Sequence, residues 1–155
     1  MTTDGLKKLA QEIVNQAQQL NIAYTTEHNA PVNYACVFSQ SEYEYEELIH
    51  TASQFGSIVQ ETKTGPVFQI PPIQTVAGTL KLLKIRHPDP KRTERGDADF
   101  TVSDYPSFKK KYLGTTGFGI IERPEMEMME LIDPSYNVLA YYSYPTLAKV
   151  LKIDL

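Results

Sequence analysis

Apolar residues recur along this chain at two periods, one helical and one strand-like. Leu6, Leu9, Ile13, Ala17 and Leu20 line one face of a helix over residues 3–21, which Thr3 or Asp4 can cap. A loop over 24–32, marked by Asn29 and Pro31, leads to a strand from Asn33 to Gln40. Ser41 and Glu44 form a capping-box pattern ahead of Tyr45, Leu48, Ile49, Ala52 and Phe55 at helical spacing, and Gly56 ends that helix. Strands follow at 57–62, 66–70 and 79–86, with Pro71-Pro72 as a stiff, extended joint between the last two. Residues 87–96 cannot continue a central strand, because Pro88 and Pro90 have no N–H to donate.

The pattern then starts again. A strand opens at Asp97, and a helix follows Asp104 with Pro106 in its first turn and Tyr105, Phe108, Tyr112 and Leu113 on its buried face. Strands follow at 118–123, 126–132 and 137–143, with Asp133–Asn137 as a tight turn and 145–155 as a tail with a short closing helix. Copies 33–86 and 97–143 both read strand, helix, strand, strand, strand, at a constant offset that sets Ser39 on Ser103. Such a unit is longer than a hairpin and shorter than a free-standing domain, so the two halves should share one core and enclose a site. The expectation is a single α+β domain over 1–155. In it two βαβββ modules form curved mixed sheets around a cavity, and the helix over 3–21 packs on an exposed sheet face or edge.

Composition narrows the function classes. At 155 residues, 41% hydrophobic and 22% charged, the chain has the make-up of an ordinary soluble domain. No apolar run approaches the roughly 20 residues that cross a bilayer, and the first residues lack the segments of a signal peptide. A cytoplasmic protein without a membrane partner is expected. The single Cys36 permits no internal disulfide and, between Tyr34 and Phe38, reads as a buried, inert thiol. A net charge of −4, with basic clusters only at Lys91-Arg92 and Lys109–Lys111, argues against a nucleic-acid partner. No nucleophile elbow, phosphate loop or dinucleotide fingerprint is present.

Two such modules in one chain resemble the vicinal oxygen chelate superfamily, which includes glyoxalase I, extradiol dioxygenases and bleomycin-resistance proteins. Val102-Ser103-Asp104 before a helix is similar to that superfamily's strand-to-helix corner. Asp133-Pro134-Ser135-Tyr136-Asn137 resembles the Asp-Pro-Asp-Gly-Asn turn before its last strand. The resemblance covers about residues 32–143. The leading helix and the prolines between modules look most like YecM-like bacterial proteins, thought to bind metal, in which a carboxylate is supplied where a strand ends before a Pro-X-Pro seam. Here that seam is Arg86-His87-Pro88-Asp89-Pro90. The resemblance implies a divalent ion held by His, Gln or Glu at pocket-facing positions of four strands, with coordination sites open to two vicinal oxygens. Carried onto this chain those positions fall on Asn33, Arg86, Asp97 or its same-face neighbour Asp99, and Ala140. Only the third keeps a ligand-type side chain, since Arg does not bind cations and Ala donates nothing. A divalent metal cofactor is thus left open, with most of its usual ligands replaced and no metal ligand assigned.

Strand alternation puts Ala98, Phe100 and Val102 toward the helices and Asp97, Asp99 and Thr101 toward the cavity. Likewise Leu83 and Ile85 face the helices while Lys84 and Arg86 face inward. The candidate ligand-binding set is therefore Asn33, Lys84, Arg86, Asp97 and Asp99. Charges buried together are costly unless paired, so an ion pair from Arg86 to Asp97 or Asp99 is the first expectation. The set reads either as a constellation orienting a small oxygen-rich or anionic molecule, with a carboxylate available as general base, or as an ion pair closing the seam between modules.

His87 could join Asp89 or Asp97 in an improvised metal site, His28 could fold over the pocket mouth, and His50 lies on a helix. For each a solvated imidazole is the commoner outcome. Met126, Met128 and Met129 suit core packing better than a soft pocket lining. Tyr136, Tyr141, Tyr142 and Tyr144 could stack on a planar ligand or form a homodimer face. Three functions remain open: small-molecule binding between the modules, metal-dependent lyase, isomerase or dioxygenase chemistry, and a non-catalytic interaction module.

Overall fold

A computed structural model describes residues 1–155. The elements run α1 (Thr3–Tyr24), β1 (Val32–Phe38), α2 (Glu42–Phe55), β2 (Ser57–Thr62), β3 (Gly65–Thr75), β4 (Gly78–Arg86), β5 (Gly96–Phe100), α3 (Tyr105–Tyr112), β6 (Phe118–Glu122), β7 (Glu127–Leu131), β8 (Val138–Tyr144) and α4 (Leu147–Leu151). No helix is long and apolar enough to cross a membrane.

Local chemistry sets most of these bounds. Thr2, one residue before the expected caps, accepts the N–H of Gly5 at 3.0 Å and starts α1. The helix continues past Asn21 because that side chain is used elsewhere. It donates to Glu27 O at 2.9 Å and accepts from Thr25 Oγ1 at 2.9 Å and Tyr142 OH at 2.7 Å, tying helix, loop and sheet together. Ser41 caps α2 on the N–H of Glu44, whereas the Glu44 carboxylate turns to the N–H of Gln40 and to Arg95. Pro71 and Pro72 do not separate two strands. They lie in a bulge of one eleven-residue β3, past the point where β2 ends at Ser57↔Gln69, so their missing donors leave no ladder partner unsatisfied. Leu113 falls just beyond the last turn of α3 and is 39% exposed rather than buried.

The strands form one mixed sheet in the order β2-β3-β4-β1-β5-β8-β7-β6. Within each βαβββ module the first strand pairs parallel with the last, β1 with β4 and β5 with β8. Antiparallel pairing of β1 with β5 joins the modules, so the expected pair of sheets is a single eight-stranded one. The alternation within β5 and β4 holds: Ala98, Phe100, Leu83 and Ile85 pack with Leu48, Ala52 and Phe108 of the helices in the main core. Helix α1 lies on this face across the junction, touching β1, β3, β5 and β8.

The copies align one residue away from the offset read in the sequence. Ser41 caps α2 and Asp104 caps α3, 63 positions apart, and the helix-facing Ala35 pairs across the junction with the helix-facing Ala98, also 63 apart. Setting Ser39 on Ser103, 64 apart, exchanges the two faces of β1, because a one-residue slip in a strand moves every side chain to the other side. Tyr34, Cys36 and Phe38 therefore line the open face, and Ala35 and Val37 the core.

Candidate functional site

The face of the sheet opposite α1, α2 and α3 carries the cavity. Helix α4 covers part of it, packing Leu147 on Val67 and Leu82. The cavity has a narrow chamber of about 110 Å³, lined by Cys36, Phe38, Arg86, Asp97, Ile121 and Tyr141 among others, and a wide one of about 420 Å³ that includes Gln60, Val67, Met126, Leu147 and Val150. Tyr34, Thr64, Lys84, Arg123 and Met128 border both, so the chambers adjoin one another and both modules contribute.

Three of the five candidate residues, Lys84, Arg86 and Asp97, face this space. Cross-strand pairing sets Cys36 opposite Lys84 on one side and opposite Asp97 on the other. Asn33 and Asp99 are withdrawn from it and bonded to each other. Asn33 Nδ2 donates to Asp99 Oδ1 at 3.0 Å, and Ser143 donates to the same oxygen from its N–H and its Oγ. The bulge between Val32 and Tyr34 lets Asn33 reach a residue of the open face.

The expected pairing of Arg86 with Asp97 or Asp99 does not form. Arg86 Nη2 meets Asp89 Oδ2 at 3.3 Å, three residues on, and its guanidinium lies over the Phe38 ring at 5.0 Å. The seam is closed instead by Arg95, whose guanidinium bonds both carboxylate oxygens of Glu44, at 2.6 and 3.0 Å, and also Phe38 O. Burial pushes the Glu44 carboxyl up, and its bonds to Arg95 and Gln40 outweigh that and hold it below the ordinary carboxylate range.

Asp97 is left with no cation in contact. It is 7% exposed, and its Oδ1 is buried without a hydrogen-bond partner. Burial, then the Asp99 carboxylate two residues away, push its carboxyl up to about 8, against the nearby charges of Lys84 and Arg86. Burial also raises Asp99 to about 6, against its bonds from Asn33 and Ser143. Burial and the Asp97 charge likewise hold the Cys36 thiol neutral, in keeping with an inert cysteine.

The histidines lie away from the cavity. His87 stacks on Tyr45 with ring centroids 3.9 Å apart, His28 contacts Thr25 O, and His50 meets Gln54 on the surface of α2. The tyrosines of β8 diverge. Tyr141 bonds Glu130 from the open face, Tyr142 is in the core, and exposed Tyr144 stacks on Tyr105. Met128 and Met126 line the cavity, and Met129 packs in the core.

Lys63, Thr64, Arg123 and Glu125 also line the cavity and were not among the sequence candidates. Their signal was the repeat itself. The β2–β3 and β6–β7 turns are equivalent in the two modules, and they overhang the same space from opposite ends of the sheet.

No protein-family model and no curated protein matches the sequence. Among solved structures, a structural-genomics protein, EC4020, superposes with a TM-score of 0.72 over 92% of this chain and 87% of its own, at 10% identity. A triple mutant of 4-hydroxymandelate synthase from Streptomyces coelicolor matches at a TM-score of 0.36 and 11% identity, over 77% of this chain and 50% of that one. A point mutant of glyoxalase I from Zea mays matches at 0.37 and 16%, over 74% and 43%. Both are vicinal oxygen chelate proteins. The paired βαβββ modules joined through β1 and β5, rather than these two partial superpositions, carry the assignment. The chain shares the fold of EC4020, and its architecture is the paired βαβββ one expected from the resemblance to vicinal oxygen chelate proteins.

Within that fold the donor set does not suit a divalent ion. Ala140, the fourth ligand position read from sequence, is in the core, and Leu139 and Tyr141 lie on the open face in its place, with Tyr141 lining the cavity. The shifted register likewise puts Tyr34 and Cys36, not Asn33, on the open face of β1. The ammonium of Lys84 and the guanidinium of Arg86 stand near Asp97, where a second cation would be repelled. No three His, Cys, Asp or Glu side chains are placed to share an ion.

Proposed function

We propose that this protein binds a small oxygen-rich anion in the cavity between its modules, and that it does so without a resident metal. One observation carries the reading. Lys84 and Arg123 line the cavity and take part in none of the protein's ion pairs, in a chain whose net charge is −4. With Lys63 they make three unpaired cations, against the carboxyl groups of Glu125 and Asp97, at a concave site in an acidic protein, a local positive field suited to an anion. Arg86, held by Asp89, adds a planar donor to the wall of the narrow chamber. The leading helix and the Pro-rich seam favour a YecM-like member of the superfamily, working in the cytoplasm. The divergent tyrosines of β8 give the homodimer reading no shared face, and the altered donor set counts against metal-dependent catalysis.

Thermal unfolding in the presence of small carboxylates, phosphates and sulfonates tests the proposal. An anion at about 100 times its Kd should stabilise the fold by about 2.7 kcal/mol. Lys84→Gln and Arg123→Gln should each reduce that gain. If no anion stabilises the protein, or if both substitutions leave the gain intact, the proposal fails. A larger gain from manganese, nickel or zinc than from any anion would restore the metal-dependent reading.

A further inference from the structure

We infer that the cavity takes an amphiphilic monocarboxylate head first, the carboxylate between Lys84 and Asp97 in the narrow chamber and the apolar tail in the wide one. The inference deepens the anion reading above and rests on it. Three features of the cavity select this class.

The first is size and polarity along its length. The narrow chamber of about 110 Å³ alone holds Arg86 and Asp97, whereas the apolar side chains of Val67, Met126, Leu147 and Val150 face only the wide chamber of about 420 Å³, beside Gln60, Lys63 and Glu125. A fully hydrated ion would leave those apolar walls without a partner, and an aliphatic or aromatic tail covers them.

The second is the amount of free charge. Arg86 is partly neutralised by Asp89, which leaves Lys84 and Arg123 as the free cations of the narrow chamber, while Lys63 and Glu125 offset each other in the wide one. One carboxylate satisfies Lys84 where the two chambers adjoin, and Arg123, an exposed residue that also borders both, offers it a second donor.

The third is Asp97, whose buried Oδ1 lacks any partner within the protein. In its protonated form a carboxyl group donates one hydrogen bond, which a ligand carboxylate accepts. The groups facing Asp97 are Asp99 on its own strand, Cys36 and Tyr34 on β1, Lys84 and Arg86 on β4, Tyr141 on β8 and Glu130 on β7. Cys36, Tyr34 and Tyr141 are held neutral by burial, and the carboxylates of Asp99 and Glu130 oppose ionisation of Asp97. The bound head group and an ionised Asp97 would repel each other, so binding requires the proton to stay. Affinity must then fall as pH rises through the value near 8.

Isothermal titration of the full chain with octanoate, acetate, 1-octanol and inorganic phosphate, at about pH 6.5 and about pH 9.5 to bracket that value, tests this. Octanoate should bind at least about tenfold more tightly than the other three at the lower pH, and lose about tenfold or more at the higher one. Lys84→Met should cost about tenfold or more, with an unchanged far-ultraviolet circular dichroism spectrum. Asp97→Asn should flatten the pH profile, since an amide donates at both values. Octanol binding as tightly as octanoate, or a wild-type affinity independent of pH, would overturn the inference. Phosphate binding more tightly than octanoate, with the same dependence on Lys84, overturns the monocarboxylate and leaves the anion reading standing. Failure of every anion to bind removes both.

Discussion

Asp97 breaks the rule that buried carboxylates find partners, and the consequence for stability runs opposite to the usual aspartate. Its folded value, near 8, lies above the unfolded value of 3.8, so between them the folded state holds a proton that the unfolded chain has lost. Stability from this group is therefore greatest at low pH and falls as pH rises through that window, at roughly 1.4 kcal/mol per unit. Asp97→Asn should be more stable than the wild type at pH values above about 8, with the gap closing toward about pH 4. Urea unfolding across that range measures it, and a variant less stable than wild type at the alkaline end would mean that Asp97 has a compensating partner. Alternation alone was enough to read the cavity-facing Lys84, Arg86 and Asp97 from the sequence. Their pairing was not legible, because it turned on competition. Asp89, three residues from Arg86 in a turn that also uses Asp89 to accept the N–H of Lys91, captures the guanidinium before the sheet can. Asn33 lies off the cavity wall for a different reason, a bulge that no residue type announces.

At the scale of elements, the order of strands and helices was legible in full, because each copy of the repeat repeats the same caps and periods. What the sequence hid was a single position of phase. The strand-to-helix corner looked alike at Ser39 and Ser103, yet the functional equivalents are the N-caps Ser41 and Asp104. Gly96 explains why the junction tolerates no other register. A Cβ there would overlap the carbonyl oxygen of Cys36 and come within 2.8 Å of Ile13 Cδ1, so only glycine lets β5 approach β1 under α1. The same junction is pinned from outside by Arg95 and Glu44, 51 residues apart in sequence and thus invisible to local patterns. Their side chains are about one-fifth to one-quarter exposed. Arg95→Ala should cost about 1–3 kcal/mol, more than an ordinary surface pair, because it also strips a donor from Phe38 O. Chemical denaturation reads this directly, and a loss within about 0.5 kcal/mol would place the pair among inconsequential surface contacts.

At the scale of the whole molecule, two features make the modules interdependent. The β1–β5 ladder leaves neither module a free inner edge, and α1, which belongs to neither copy, lays Leu6, Ala10, Ile13, Val14 and Ala17 across both. A module separated from the other would expose the inner edge of β1 or β5 and lose its share of that apolar stripe. Ile13 is the residue that tests this, since it is 1% exposed and lies against Gly96 at the junction itself. Ile13→Ala should destabilise the fold by about 2–5 kcal/mol. In native-state hydrogen exchange, the loss should appear equally in β4 of the first module and β8 of the second, both of which would open only through global unfolding. If the loss were confined to one of these strands, the modules would be separate cooperative units, and the cavity would then lie between two independently opening halves. Equal loss makes the cavity a property of the whole sheet. A molecule bound in it, touching β1, β4, β7 and β8 at once, would then stabilise both modules together.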